Sequence, residues 1–243
     1  MNYLIEIATS DFTTTAAAIE GGADRIELCA ALTEGGITPS HGLIRRCRER
    51  FDTALFPIIR PRAGDFLYNE DEFIIMKEDL LWCKQTGCDG VVIGLLQKDG
   101  GIDEKRTAAL VELAYPMEVT FHRAFDRCRD PFEALEQLIR IGVQRILTSG
   151  QQPGAPAGAE LIASLVKAAD ERIIIMPGSG VRKENIKMLA ESTGAVEFHS
   201  SLRGKAASAM EFRHPAFKES EESYTHPAID PAEVRALREA LRG

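Results

Sequence analysis

Val119-Thr120-Phe121-His122-Arg123-Ala124-Phe125-Asp126 is an apolar strand signal that runs straight into a histidine, an arginine and, three residues on, an aspartate. A strand that only packs normally stops at a turn former such as Gly, Pro or Asn. One that stops at a group titrating near neutral pH, next to a fixed cation, points to a site at its carboxyl end. With His122 facing inward, Thr120 and Glu118 share its face, and Val119 and Phe121 take the opposite one.

Similar short runs recur outward from this stretch. Strands are expected over 3–8, 25–29, 55–60, 91–94, 118–122, 145–148, 173–176 and 195–199. Helical patterns lie between them near 12–20, 40–50, 71–86, 103–114, 131–141, 157–169 and 183–192. Asp130-Pro131 supplies an N-cap and a first-turn proline, and Gly21, Gly87, Gly142 and Gly194 stand where helix C-caps belong. Strands separated by helices pair in parallel through right-handed crossovers. Eight such units in 243 residues predict an α/β fold, a single (β/α)8 TIM barrel. A doubly wound open sheet is the rival, but no Gly-x-Gly-x-x-Gly follows the first strand. Residues 202–229 are polar and aperiodic, with His214-Pro215 and an acidic cluster over 219–222. They predict a long loop after strand eight, then a last helix over 231–241, with 1–243 forming one domain.

Composition narrows the function. A net charge of −8 argues against a nucleic-acid surface, though not against a small basic pocket. No basic leader precedes an apolar run, and no apolar run approaches the ~20 residues of a membrane span. The five cysteines are scattered without a Cys-x-x-Cys pair, which suits reduced thiols in a cytoplasm.

The polar faces of the strands converge. Arg25, Glu27 and Cys29 alternate with Ile26 and Leu28; Glu6 sits between Ile5 and Ile7; Glu197 and His199 alternate with Val196 and Phe198. If the apolar faces meet the helices, these groups point into the barrel. Strand three ends in Arg60-Pro61-Arg62, and guanidinium suits carboxylate or phosphate. Strand seven ends in Gly178-Ser179-Gly180 and strand eight in His199-Ser200-Ser201, the two loops that carry the phosphate site of many such barrels. Arg60, Arg62, Gly178, Ser179, Gly180, Ser200 and Ser201 are therefore expected to bind a small anion. His122 is the expected general acid or base, with Glu27 as partner or second proton carrier and Asp65 or Asp126 orienting a ligand hydroxyl. Blander roles stand beside these. Glu6 and Glu27 could neutralise Arg25 or Arg60 in a buried network, His122 could be a core histidine, and Cys29 a small buried residue.

Several separated motifs fit one family together: Gly21-Gly22-Ala23-Asp24-Arg25-Ile26-Glu27-Leu28-Cys29, Glu34-Gly35-Gly36-Ile37-Thr38-Pro39-Ser40, Ile59-Arg60-Pro61-Arg62-Ala63-Gly64-Asp65-Phe66, the Thr120–Asp126 stretch, Leu147-Thr148-Ser149-Gly150-Gln151 and Glu197-Phe198-His199-Ser200-Ser201. The chain closely resembles the CutC family, named for copper homeostasis, from strand one to Ser201. The resemblance implies a cytoplasmic, often homo-oligomeric TIM barrel with copper binding and no established reaction. It would place copper at Cys29 with His122 or His199. Copper(I) favours sulfur and copper(II) imidazole and carboxylate. Some relatives carry cysteines after strand one where this chain has Ala8-Thr9, so a multi-thiolate site is not expected. The alternative to copper handling is an enzyme acting on a small anionic metabolite, phosphorylated or not, by His/Glu acid-base chemistry.

Overall fold

Parallel strands and helices alternate along the chain as the changing sequence period requires. The computed structural model describes residues 3–217 and 224–242. The elements are β1 (Leu4–Thr9), α1 (Phe12–Glu20), β2 (Arg25–Leu28), α2 (His41–Arg50), β3 (Ala54–Pro57), α3 (Glu70–Thr86), β4 (Gly90–Ile93) and α4 (Glu104–Ala114). Then follow β5 (Glu118–Phe121), α5 (Pro131–Ile141), β6 (Arg145–Thr148), α6 (Ala159–Ala169), β7 (Ile174–Pro177), α7 (Ile186–Thr193), β8 (Glu197–Ser200), β9 (Gly204–Ala207), β10 (Thr225–Ala228) and α8 (Pro231–Ala240). The caps are those the sequence predicts at α5, where the Asp130 side chain accepts from the Phe132 and Glu133 amides and Gly142 ends the helix in the left-handed region.

The eight barrel strands hydrogen-bond in the orders β3-β2-β1-β8 and β4-β5-β6-β7. A parallel bridge between Ile58 and Val92 joins the two arcs on one side, with the Ile59 amide donating to the Val92 carbonyl at 2.8 Å. On the other side Gly178, after β7, lies against His199 of β8. A Cβ at Gly178 would fall 3.3 Å from the His199 Cβ and 2.4 Å from Leu147 Cδ1, so glycine is what lets the barrel close there. The result is a TIM-type barrel.

Its outer strand faces carry Ile5, Ile7, Ile26, Leu28, Val119, Phe121 and Phe198 into the apolar layer beneath the helices. The interior holds a small apolar cluster of Cys29, Phe56, Ile58 and Val92, with Ala8, Leu147 and Met176 beside it. Many of the other inward positions are polar, as the alternation predicts.

Residues 202–229 differ from the plain loop expected. β9 and β10 form an antiparallel ribbon, with Gly204 opposite Ala228 and Ala207 opposite Thr225. Gly-Lys-Ala-Ala and Thr-His-Pro-Ala carry almost no β-branched or aromatic signal, and Pro227 reads as a strand breaker. A two-stranded ribbon is all edge, where proline is tolerated. The acidic cluster over 219–222 lies outside the described residues.

Candidate functional site

The barrel interior is built in layers. Deepest is an ion-paired ring. Arg25 donates to Glu6 at 2.5 Å and to Glu197 at 2.6 Å; Arg145 donates to Glu197 at 2.7 Å and to Glu118 at 3.0 Å. Both guanidiniums stand over the Phe56 ring, 5.1 and 5.6 Å from its centroid. Side chains from β1, β2, β5, β6 and β8 thus stand where branched aliphatic layers usually fill such a barrel.

Above the ring, His199 bridges two carboxylates. Its Nδ1 lies 2.7 Å from Glu6 and its Nε2 lies 3.7 Å from Glu27. Buried Glu6, Glu27 and Glu197 carry three potential negative charges against two from Arg25 and Arg145. Protonated, His199 would add a positive charge between Glu6 and Glu27. Burial opposes that charge, but Glu27 and then Glu6 outweigh it, and the His199 pKa is raised. Burial also opposes ionisation of Glu6, yet Arg25 and His199 hold its carboxyl down at about 2. Glu27 is raised, chiefly by burial and with help from Glu6.

His122 is a different histidine. Burial, then the Arg60 guanidinium, push it down to about 3. Its Nδ1 accepts the Ala124 amide at 3.1 Å, which leaves the proton of the neutral ring on Nε2. That Nε2 is buried without a partner. The ring lies 5.0 Å from Phe66, and a Cβ on Gly94 would fall 2.2 Å from its Cε1.

A cavity of about 890 Å³ opens above these groups at the carboxyl ends of the strands, with Glu27, His122 and His199 in its wall. Its rim is cationic: Arg60, Lys98, Arg123, Arg127, Arg182 and Arg203, against Glu34 and Asp65. Arg60 donates to the carbonyls of Glu34, Gly36 and Gly64, and its Nε has no partner. Arg182 donates weakly to the Ser200 hydroxyl at 3.4 Å and Arg203 to the Leu32 carbonyl at 2.8 Å. None of these three, nor Lys98 or Arg127, pairs with a carboxylate among the described residues. The rim is thus positively charged in a protein of net charge −8.

The structure brings together most of the expected residues but not all of them. Glu27, Arg60, His122, Ser179, Gly180, His199, Ser200 and Ser201 line the cavity. Gly178 acts through closure of the barrel. Arg62 is turned away: it is held by Glu72 at 2.5 Å and Asp65 at 3.0 Å and stacks on Tyr68. Asp126 is spent on structure, accepting from Arg123, Thr148, Ser149 and Gln151, and so ties the loops after β5 and β6 together. The partner of Glu27 is His199, not His122, because β8 neighbours β1 and β1 neighbours β2. Arg145 and the loop cations Lys98, Arg127, Arg182 and Arg203 escape the sequence reading. The first sits at an inward position of β6 in the layer of Arg25; the others lie on loops without periodicity.

A copper ion on Cys29, His122 and His199 does not fit. Among the described residues no group of three His, Cys, Asp or Glu side chains is disposed to hold a metal ion. Glu6 and Glu27 lie on opposite nitrogens of His199 and cannot converge with it. Cys29 is fully buried, and burial and the Glu27 carboxylate carry its thiol well above the usual range.

Fold and site define a TIM-barrel protein with a polar, ligand-sized cavity at the carboxyl end of its strands. The chain belongs to the CutC family, whose model matches residues 3–204. It is 48% identical over 244 residues to a family protein CutC from Chromobacterium violaceum, covering 99% of both chains. A crystal structure of CutC from Streptococcus agalactiae superposes with a TM-score of 0.79 at 32% identity, over 82% of this chain and 98% of that one. The N-(5'-phosphoribosyl)anthranilate isomerase of Pyrococcus furiosus shares the fold alone, with a TM-score of 0.58 at 12% identity over 99% of both chains.

Proposed function

We propose that the protein acts in copper homeostasis, the role after which its family is named, and that it does so by binding a small anionic ligand at the barrel mouth rather than by holding copper on its own side chains. Family membership supports the first half. One observation carries the second: the cations Arg60, Arg182 and Arg203 face a cavity of about 890 Å³ without a carboxylate partner among the described residues. Arg60 is buried, and a buried charge needs a counter-ion; with the exposed Arg182 and Arg203 it offers a phosphate or carboxylate the geometry guanidinium prefers. We take the protein to be a cytoplasmic homo-oligomer, as the family resemblance implies.

An enzymatic reading has its own support in the Glu27–His199 pair, whose pKa values are both raised at the cavity wall. Such a pair could exchange a proton with a bound ligand. His122, held neutral, would serve there as a hydrogen-bond donor and not as a base.

A thermal-shift screen of inorganic phosphate and phosphorylated metabolites, each with and without copper, tests the proposal. The expected result is stabilisation by anions that does not need copper. Stabilisation by copper alone, removed by Cys29→Ser, would overturn it.

A further inference from the structure

A second cavity, of about 650 Å³, adjoins the first. The two share Ala8, Leu32, Ser201 and Arg203 in their walls, so they lie side by side. Their chemistry differs. The second has a mainly apolar surface from Ala8, Ala31, Leu32, Pro227, Ala228 and Ile229, with Lys205 and His226 among its polar groups, and its Asp11 carboxylate is occupied in accepting the Thr14 amide at 2.7 Å. Its outer wall comes from β9 and β10, the one part of the fold outside the eight strand-helix units. Arg203 stands at the junction, held there by the Leu32 carbonyl at 2.8 Å.

We propose that the ligand is amphipathic: an anionic head among the rim cations of the first cavity, and an apolar tail of a few carbons laid along the second, beneath the ribbon. This rests on the anion site proposed above and names the class of molecule that fills it. A site for inorganic phosphate or a compact sugar phosphate has no use for a second compartment of this size. Each cavity alone is within the range of a small-molecule site, about 300–1,000 Å³. The head is a phosphate or a carboxylate, since guanidinium suits both.

The test is a calorimetric titration of the full chain with inorganic phosphate, then with ethyl, butyl and hexyl phosphate, and with the matching straight-chain carboxylates. Burial of each methylene is worth about fourfold in affinity, the equivalent of about 0.8 kcal/mol. The dissociation constant should fall by roughly that factor per methylene along the first few members of whichever series the head prefers. Pro227→Gln and Ala228→Gln, both on the ribbon and neither adding charge beside Arg203, should flatten the gain with chain length and leave inorganic phosphate binding as in the wild type. That retained binding also shows the variants are folded. If phosphate binds and chain length adds nothing, or the gain survives in both ribbon variants, the amphipathic ligand is overturned and the anion site stands. If no member of either series binds, the anion site itself fails.

Discussion

The ring deep in the barrel and the rim at its mouth are both rich in arginine, yet their charges are handled in opposite ways. In the ring, Arg25 and Arg145 meet Glu6, Glu197 and Glu118 within 3.0 Å. At the rim, Arg60, Arg182 and Arg203 meet carbonyl and hydroxyl oxygens, and Arg60 the Phe66 ring, but no carboxylate among the described residues. A charge satisfied by its own chain holds the chain together; a charge left open awaits something else. The difference separates structure from function in a barrel where residue type alone does not.

The largest expected effect comes from breaking the ring. Arg25→Ala leaves the Glu6 and Glu197 carboxylates buried without their shared partner, and should cost about 3–5 kcal/mol of unfolding free energy in denaturant titration. A loss below about 1 kcal/mol, the range of exposed pairs, would show that the ring is not the structural half of the comparison.

The two histidines should respond to pH with opposite signs. His122 has a folded pKa of about 3 against 6.5 for the free side chain. Its stabilisation is complete above pH 6.5 and is lost as the pH falls towards 3. His199 is raised, so its contribution is complete below 6.5 and is lost as the pH climbs through its folded value. The dependence of stability on pH should become shallower on the acid side of 6.5 in His122→Asn and on the alkaline side in His199→Asn. Equal slopes in wild type and variants would contradict the assignments.

A smaller effect is expected where a cation near the rim is already paired. Arg62 is satisfied by Glu72 and Asp65, so Arg62→Ala should cost about 1 kcal/mol or less and leave anion affinity unchanged. Loss of anion binding in that variant would restore the role expected from its place after strand three. Cys29→Ser should have the least effect of all on ligands. Copper affinity in a competition titration should match the wild type, and a sharp loss would reinstate a sulfur-ligated copper.

Much of this was legible in the sequence because strands alternate. Glu6, Glu27 and Glu197 each sit between apolar neighbours, Arg25, His122 and His199 each have one, and all six face inward. The choice of partners was harder. Barrel closure sets β8 beside β1, so His199 meets Glu6 and Glu27, while Glu27 and His122 lie on strands that do not pair. Side-chain direction in loops was not readable. Arg62 and Asp126 stand at strand ends as site residues do, but the turns aim them at Glu72 and at the β6 loop. Arg182 and Arg203 carry no pattern at all and enter the site only through the path of the chain. The ribbon stayed hidden because its residues suit a strand only at an edge.

The central claim is that the rim cations form the anion site. Calorimetric titration of inorganic phosphate into the wild type and into the Arg182→Ala/Arg203→Ala variant tests it most directly. Saturable binding in the wild type should weaken at least about tenfold in the variant, the loss of about 1.4 kcal/mol of binding free energy. Because both side chains are exposed, unfolding free energy should change by no more than about 0.5 kcal/mol. No saturable binding, or equal binding by the two proteins, would contradict the account.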